Sequence, residues 1–155
     1  MKEDFKFFGG KKVDDVSEYI KNYMKRYPET NIIVGTDSEQ YKAYTNYVTV
    51  ICLNRPTKGS HIIYNENKVG KIRDIFSKLW NEVEYSRIVA DDLEESINNN
   101  SEKKMVTVHI DINEKKNAKS NIVHDSAMGY LKGLGYVVRS KPDSWVATKA
   151  ADWLC

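Results

Sequence analysis

Apolar positions along this chain alternate between two periods, and each change of period marks an element boundary. Val13, Val16, Ile20, Tyr23, Met24 and Tyr27 recur at helical spacing, and Pro28 closes that helix before an apolar strand at Ile32-Ile33-Val34. Two strand-like runs follow, Tyr47 to Leu53 and His61 to Tyr64, separated by the turn-forming Arg55-Pro56-Thr57-Lys58-Gly59. Three consecutive strands on short links predict an antiparallel meander. Ile72, Ile75, Phe76, Leu79, Val83, Ser86, Ala90, Leu93 and Ile97 trace one long amphipathic helix, after which Met105 to Ile112 returns to strand. A helix through Ile122, Val123, Ser126, Tyr130 and Leu131 ends at Gly133-Leu134-Gly135, and Tyr136 to Arg139 forms a fifth strand. Pro142-Asp143 then serves as turn and N-cap for a last helix over Ser144 to Leu154. The predicted architecture is α/β, a five-stranded mixed sheet with helices on both faces and an extra helix in front.

Four acids sit where strand or helix ends can aim them at one point: Asp37, Glu82, Asp111 and Asp143. An Asp inside an apolar strand is costly to bury unless it is paired or ligated, and two separate strand-like runs each carry one. Thr107, His109, Asp111 and Asn113 share one face of their strand, with Val108, Ile110 and Ile112 on the other, so Asp111 belongs to a polar face. Glu82 lies beside the apolar stripe of its helix, next to Leu79 and Val83, whereas Glu84 is turned about 200° away. Three or four carboxylates can hold two hard divalent cations such as Mg²⁺ or Mn²⁺. Without a cation, so many would repel and raise each other's pKa values.

Length and composition narrow the setting. At 155 residues the chain fits one domain spanning 1–155, and it has no run of 18 or more apolar residues to cross a membrane. The N-terminus lacks the apolar core and cleavage site of a secretory signal; Cys52 lies in an apolar run, and Cys155 is the last residue. A cytoplasmic protein without a disulfide framework is expected. Net charge is only +2, but between Lys103 and Lys149 nine Lys/Arg face four Asp/Glu, a local excess that suits nucleic acid.

Four words in order carry a resemblance: Gly35-Thr36-Asp37-Ser38-Glu39-Gln40, His109-Ile110-Asp111-Ile112-Asn113, Lys119-Ser120, and Lys141-Pro142-Asp143-Ser144-Trp145-Val146-Ala147. Over roughly residues 13 to 154 the chain resembles the YkuK family of ribonuclease H-like proteins. The order of elements after the first helix is also that of the ribonuclease H-like fold. That fold has acids on the first strand, the first long helix, the fourth strand and near the start of the closing helix. The resemblance implies a metal-dependent nuclease acting on RNA, DNA or a hybrid through two Mg²⁺ or Mn²⁺ ions, with Asp37, Glu82, Asp111 and Asp143 as metal ligands and catalytic residues. A Lys- and Asn-rich loop after Asp111 departs from the family, where glycine is common.

Each candidate has a plainer role beside it. Asp37 could begin a turn, Asp143 could only cap its helix, and Glu82 could be solvated like most charged helix residues. Asp152 is the alternative fourth ligand, roughly 13 Å along the helix from Asp143, too far to share one ion with it. Lys119, Ser120 and Lys141 are candidate phosphate contacts or simple surface polarity. His109 reads as a supporting or surface residue rather than a ligand, and Trp80, Trp145 and Trp153 as core. The chain contains no Gly-x-Ser-x-Gly, no His-Glu-x-x-His and no Gly-x-x-x-x-Gly-Lys-Ser/Thr, so serine hydrolysis, zinc proteolysis and P-loop chemistry lack their signatures. An actin-like kinase needs a second domain, and a two-carboxylate glycosidase fits the order and motifs less well than a metal. The competing class is a non-catalytic module on this fold, binding nucleic acid or a protein; recognition could also come from a homodimer.

Overall fold

Strand pairing carries most of the architecture of the computed structural model, which describes residues 4–99, 101–112, 118–140, 143, 145 and 146, with backbone alone at 118–120. In chain order the elements are β1 (Lys6–Phe7), α1 (Val16–Arg26), β2 (Asn31–Gln40), β3 (Tyr44–Arg55), β4 (Gly59–Gly70), α2 (Ile75–Ile97), β5 (Val106–His109), α3 (Ala118–Gly133) and β6 (Val137–Arg139). They form a mixed sheet in the order β1-β4-β3-β2-β5-β6. β2, β3 and β4 make the expected antiparallel meander, while β5 joins β2 in parallel and β6 joins β5 in parallel. The sheet has six strands rather than five. Lys6 and Phe7 add a two-residue edge strand against Tyr64 and Ile63, too short to leave a periodic signal.

The meander strands run longer than their apolar cores. β2 pairs with β3 along its whole length, from Asn31↔Asn54 to Gln40↔Thr45, so Asp37 lies within a strand rather than opening a turn. Successive side chains alternate between faces, which puts Thr36 and Ser38 on the α2 side and Asp37 on the other. The buried hydroxyls on the α2 side are satisfied, since Thr36 bonds both Thr49 (3.0 Å) and Ser86 (2.7 Å).

Helix ends follow their capping chemistry. Asp15 accepts the Glu18 N–H before α1, and Asp74 accepts the Ser77 N–H before α2. After α3, Gly135 takes φ +94°, and the Gly135 and Tyr136 N–H groups return to the carbonyls of Lys132 and Leu131. Val16 and Ile20 of α1, Val83, Ala90 and Leu93 of α2, and Val123, Ala127 and Leu131 of α3 all join one core cluster on one face of the sheet. A smaller cluster on the opposite face, Ile33, Val48, Val50 and Cys52, has Val146 against it. The rest of the expected last helix lies outside the described residues.

One buried acid fixes where β5 begins. Glu94, 1% exposed, accepts the N–H groups of Met105 (2.6 Å) and Val106 (2.7 Å) on one oxygen and the Asn98 amide (2.8 Å) on the other. It ties the end of α2 to the first residue of β5, and so sets β5 beside β2.

Candidate metal centre

β2 and β5 run side by side in the same direction, and their last paired position is Gly35↔His109. Two residues further along each chain come Asp37 and Asp111, at the carboxyl ends of adjacent parallel strands. Crevices at such strand ends are where open α/β sheets bind ligands. Asp111 lies just past the end of β5, not inside the strand as the hydrophobic pattern indicates.

Glu82 approaches from α2. It is 5% exposed, and its carboxyl accepts the Ser38 hydroxyl at 2.5 Å. Burial pushes its pKa well above the ordinary carboxylate range, and the negative charge of Asp37 pushes it further, with Asp111 adding to the effect. The Ser38 hydrogen bond and the nearby Lys78 ammonium pull the other way. Two aspartates remote in sequence therefore both bear on Glu82. Glu82, Asp111, His109, Thr36 and Ser86, with Val83, Ile110 and Ile112, surround one narrow crevice too tight to admit a water molecule. Glu84 is not part of it: its carboxylate pairs with Arg87 at 3.0 Å, and Arg87 also reaches Asp91 at 2.7 Å.

Excess negative charge and hard oxygen donors suit a divalent cation. Among the described residues, however, no three His, Cys, Asp or Glu side chains are already gathered as a metal-binding group. Ser38 holds Glu82 on the α2 side, while the pleat puts Asp37 on the opposite face of β2.

Asp143 is exposed, and its N–H donates to the Ser140 carbonyl at 2.8 Å. Its charge bears on His109, which is 3% exposed and so is a buried residue, not a surface one. Burial, with help from the Arg139 charge, brings the His109 pKa down to about 4 against the opposing effect of Asp143. The imidazole is thus neutral at pH 7, and its Nδ1 accepts the Val146 N–H at 3.2 Å. His109 is the fastening between β5 and the 143–146 segment. Trp145 meets the His109 ring edge-on at 6.0 Å and is 36% exposed, so it is not the core residue expected. Trp80 is partly buried against Tyr130. Lys119 and Ser120 fall in the first turn of α3, but their side chains lie outside the described residues, as do Lys141, Asp152 and Trp153.

A pH effect follows from His109. Its folded pKa of about 4 is below the ordinary 6.5, so the associated stability is full above pH 6.5 and is lost as pH falls toward 4. Urea melts at neutral and mildly acidic pH should show a smaller acid loss in His109→Asn than in the parent; equal losses would remove His109 from this role.

Sequence reasoning missed the hydroxyl set of Thr36, Ser38, Thr49 and Ser86. The signal was there: Ser86 stands four residues after Glu82 on the buried stripe of α2, opposite a strand whose hydroxyls face it. A more open groove, of about 610 Å³, lies between α1 and the Ile97 and Met105 side chains and shares no residue with the crevice. None of the described helices is long and apolar enough to cross a membrane.

With the strand order and the acid crevice in view, comparison with known proteins gives a family. A model described as "Ribonuclease H-like" matches residues 15–155. The chain belongs to the ribonuclease H-like family. It is 26% identical over 152 residues to a Bacillus subtilis (strain 168) protein named "Uncharacterized protein YkuK", covering 89% of this chain and 87% of that protein. No solved structure matches. This ribonuclease H-like chain thus carries acids on β2, on α2 and just after β5, and the described part of its closing segment begins with Asp143.

Proposed function

We propose that this chain is a metal-dependent nuclease that hydrolyses phosphodiester bonds of RNA or DNA. The observation that carries the reading is that the charges of Asp37 and Asp111, at the carboxyl ends of β2 and β5, both act on buried Glu82 of α2. Asp37 and Asp111 would anchor two Mg²⁺ or Mn²⁺ ions, with Glu82 and Asp143 completing the shell and Asp152 as the alternative to Asp143. When bound, two such ions activate water and neutralise charge on the transferring phosphate. The chain's own contribution is preparatory. Ser38 fixes the Glu82 carboxyl, His109 fastens the segment bearing Asp143, and Lys119, Ser120 and Lys141 would position the phosphate backbone without reading bases.

The alternative is a non-catalytic module binding nucleic acid or protein on the same fold. Incubation of purified protein with labelled RNA, DNA and hybrid separates the two. The nuclease reading expects cleavage with Mn²⁺ that stops on adding EDTA; retention of intact nucleic acid with all three substrates uncut would leave the binding module.

A further inference from the structure

The hairpin joining β2 to β3 carries an aromatic pair that the crevice does not use. Tyr41 and Tyr44 stack with ring centroids 4.8 Å apart and planes 19° from parallel, and the Tyr41 N–H donates to the Tyr44 carbonyl at 2.8 Å. Tyr41 is 39% exposed. The Lys68 ammonium sits 5.5 Å from the Tyr44 ring centroid. Two hydrogen bonds draw the 71–74 segment alongside: Gln40 Nε2 donates to the Ile72 carbonyl, and the Ile72 N–H donates to Thr45 Oγ1 at 3.0 Å. This brings exposed Lys71 and Arg73 to the hairpin that presents Lys42.

Three carboxylates share this end of the hairpin: Glu66 accepts the Asn46 amide at 3.2 Å, Asp74 caps α2, and Glu39 is exposed, so the four cations exceed the acids by one. A stacked pair with an exposed Tyr41 and a half-buried Tyr44, set among Lys42, Lys68, Lys71 and Arg73, matches a nucleic-acid strand whose base faces are accessible. A duplex buries those faces in its own stack, so the arrangement selects unpaired nucleotides. Position agrees with this. Tyr44 and Asp37 share a face of the sheet by the pleat, and Tyr41 follows Asp37 by four residues, roughly 13 Å of strand. That is within about four nucleotides at the spacing of a DNA strand.

We propose that the Tyr41–Tyr44 hairpin, with Lys42, Lys68, Lys71 and Arg73, is a docking platform that delivers single-stranded nucleic acid to Asp37 and the strand ends beside it. The proposal rests on the nuclease reading for its direction but not for its existence, because the platform binds whether or not the chain cuts.

The test is fluorescence anisotropy of the full chain in EDTA, with labelled single-stranded RNA and DNA of about 12 nucleotides and duplexes of equal length. Single strands should bind more tightly than duplexes. Tyr41→Ala should weaken single-strand binding roughly 5- to 140-fold, and Tyr41→Phe should retain it. Lys71→Ala and Arg73→Ala should each lower the slope of log affinity against log salt by about 0.7. Thermal melts of each variant keep loss of binding separate from loss of fold, and the two charge variants test the same surface should Tyr41→Ala unfold. Equal binding of duplex and single strand, or unchanged affinity in folded Tyr41→Ala, overturns the platform. Cleavage by a chain that fails these binding tests would spare the nuclease and sink the platform, whereas Tyr41-dependent binding without cleavage does the reverse. Failure of every oligonucleotide to bind overturns the assignment and leaves the patch to a protein partner.

Discussion

Asp37→Asn is expected to abolish Mn²⁺-dependent cleavage while leaving the chain folded and slightly more stable. A carboxylate that anchors a catalytic cation supports several kcal/mol of transition-state stabilisation, so the rate should fall by at least about 10³-fold. Stability should move the other way. The charge on Asp37 is one of the causes that push Glu82 upward, and removing it lessens the repulsion borne by a buried carboxyl. The Asn side chain keeps the shape and stays on the strand face opposite α2. Cleavage assays with Mn²⁺ and thermal melts without metal measure the two halves separately. Retained cleavage removes Asp37 from the chemistry, and an unfolded variant would show that the residue is structural first.

Glu94→Leu should be the most destabilising of the substitutions considered, at about 2–4 kcal/mol, because the buried Val106 N–H loses its acceptor and the partly buried Met105 N–H and Asn98 amide lose theirs. Two of them are the N–H groups that open β5. Glu94→Gln keeps one acceptor oxygen and should cost less, about 1–2 kcal/mol. Urea denaturation gives both values from the shift in midpoint at constant slope. A change below about 1 kcal/mol in Glu94→Leu would mean that other contacts hold β5 in place. The site should respond as well, since β5 leads directly to Asp111.

Much of this was legible because it rests on period. The runs Tyr47 to Leu53 and His61 to Tyr64 announce buried strands, and the stripe from Ile75 to Ile97 announces α2, so the meander and the long helix follow from apolar spacing. Glu82 was separable from Glu84 for the same reason: one borders that stripe, and the other meets Arg87. The full length of β2 was hidden, because Gly35, Thr36, Asp37 and Ser38 have little strand preference and are held by their partners on β3. Glu94 was hidden for a different reason. A buried acid whose partners are backbone N–H groups eleven and twelve residues on looks, in sequence, like one more charge near a helix end. That Asp37 and Asp111 belong together was argued from motif order, and the register of β2 with β5 puts each two residues past the last paired position of adjacent strands.

That register also sets how the two aspartates come apart. The β2–β3 hairpin closes over a few residues, whereas Gly35 meets His109 across 74. Closing the longer loop costs roughly 2–3 kcal/mol more chain entropy, a charge borne by α2 and its Glu94 tether rather than by the meander. Fluctuations that loosen the end of α2 therefore part Asp111 from Asp37 while β2, β3 and β4 remain paired.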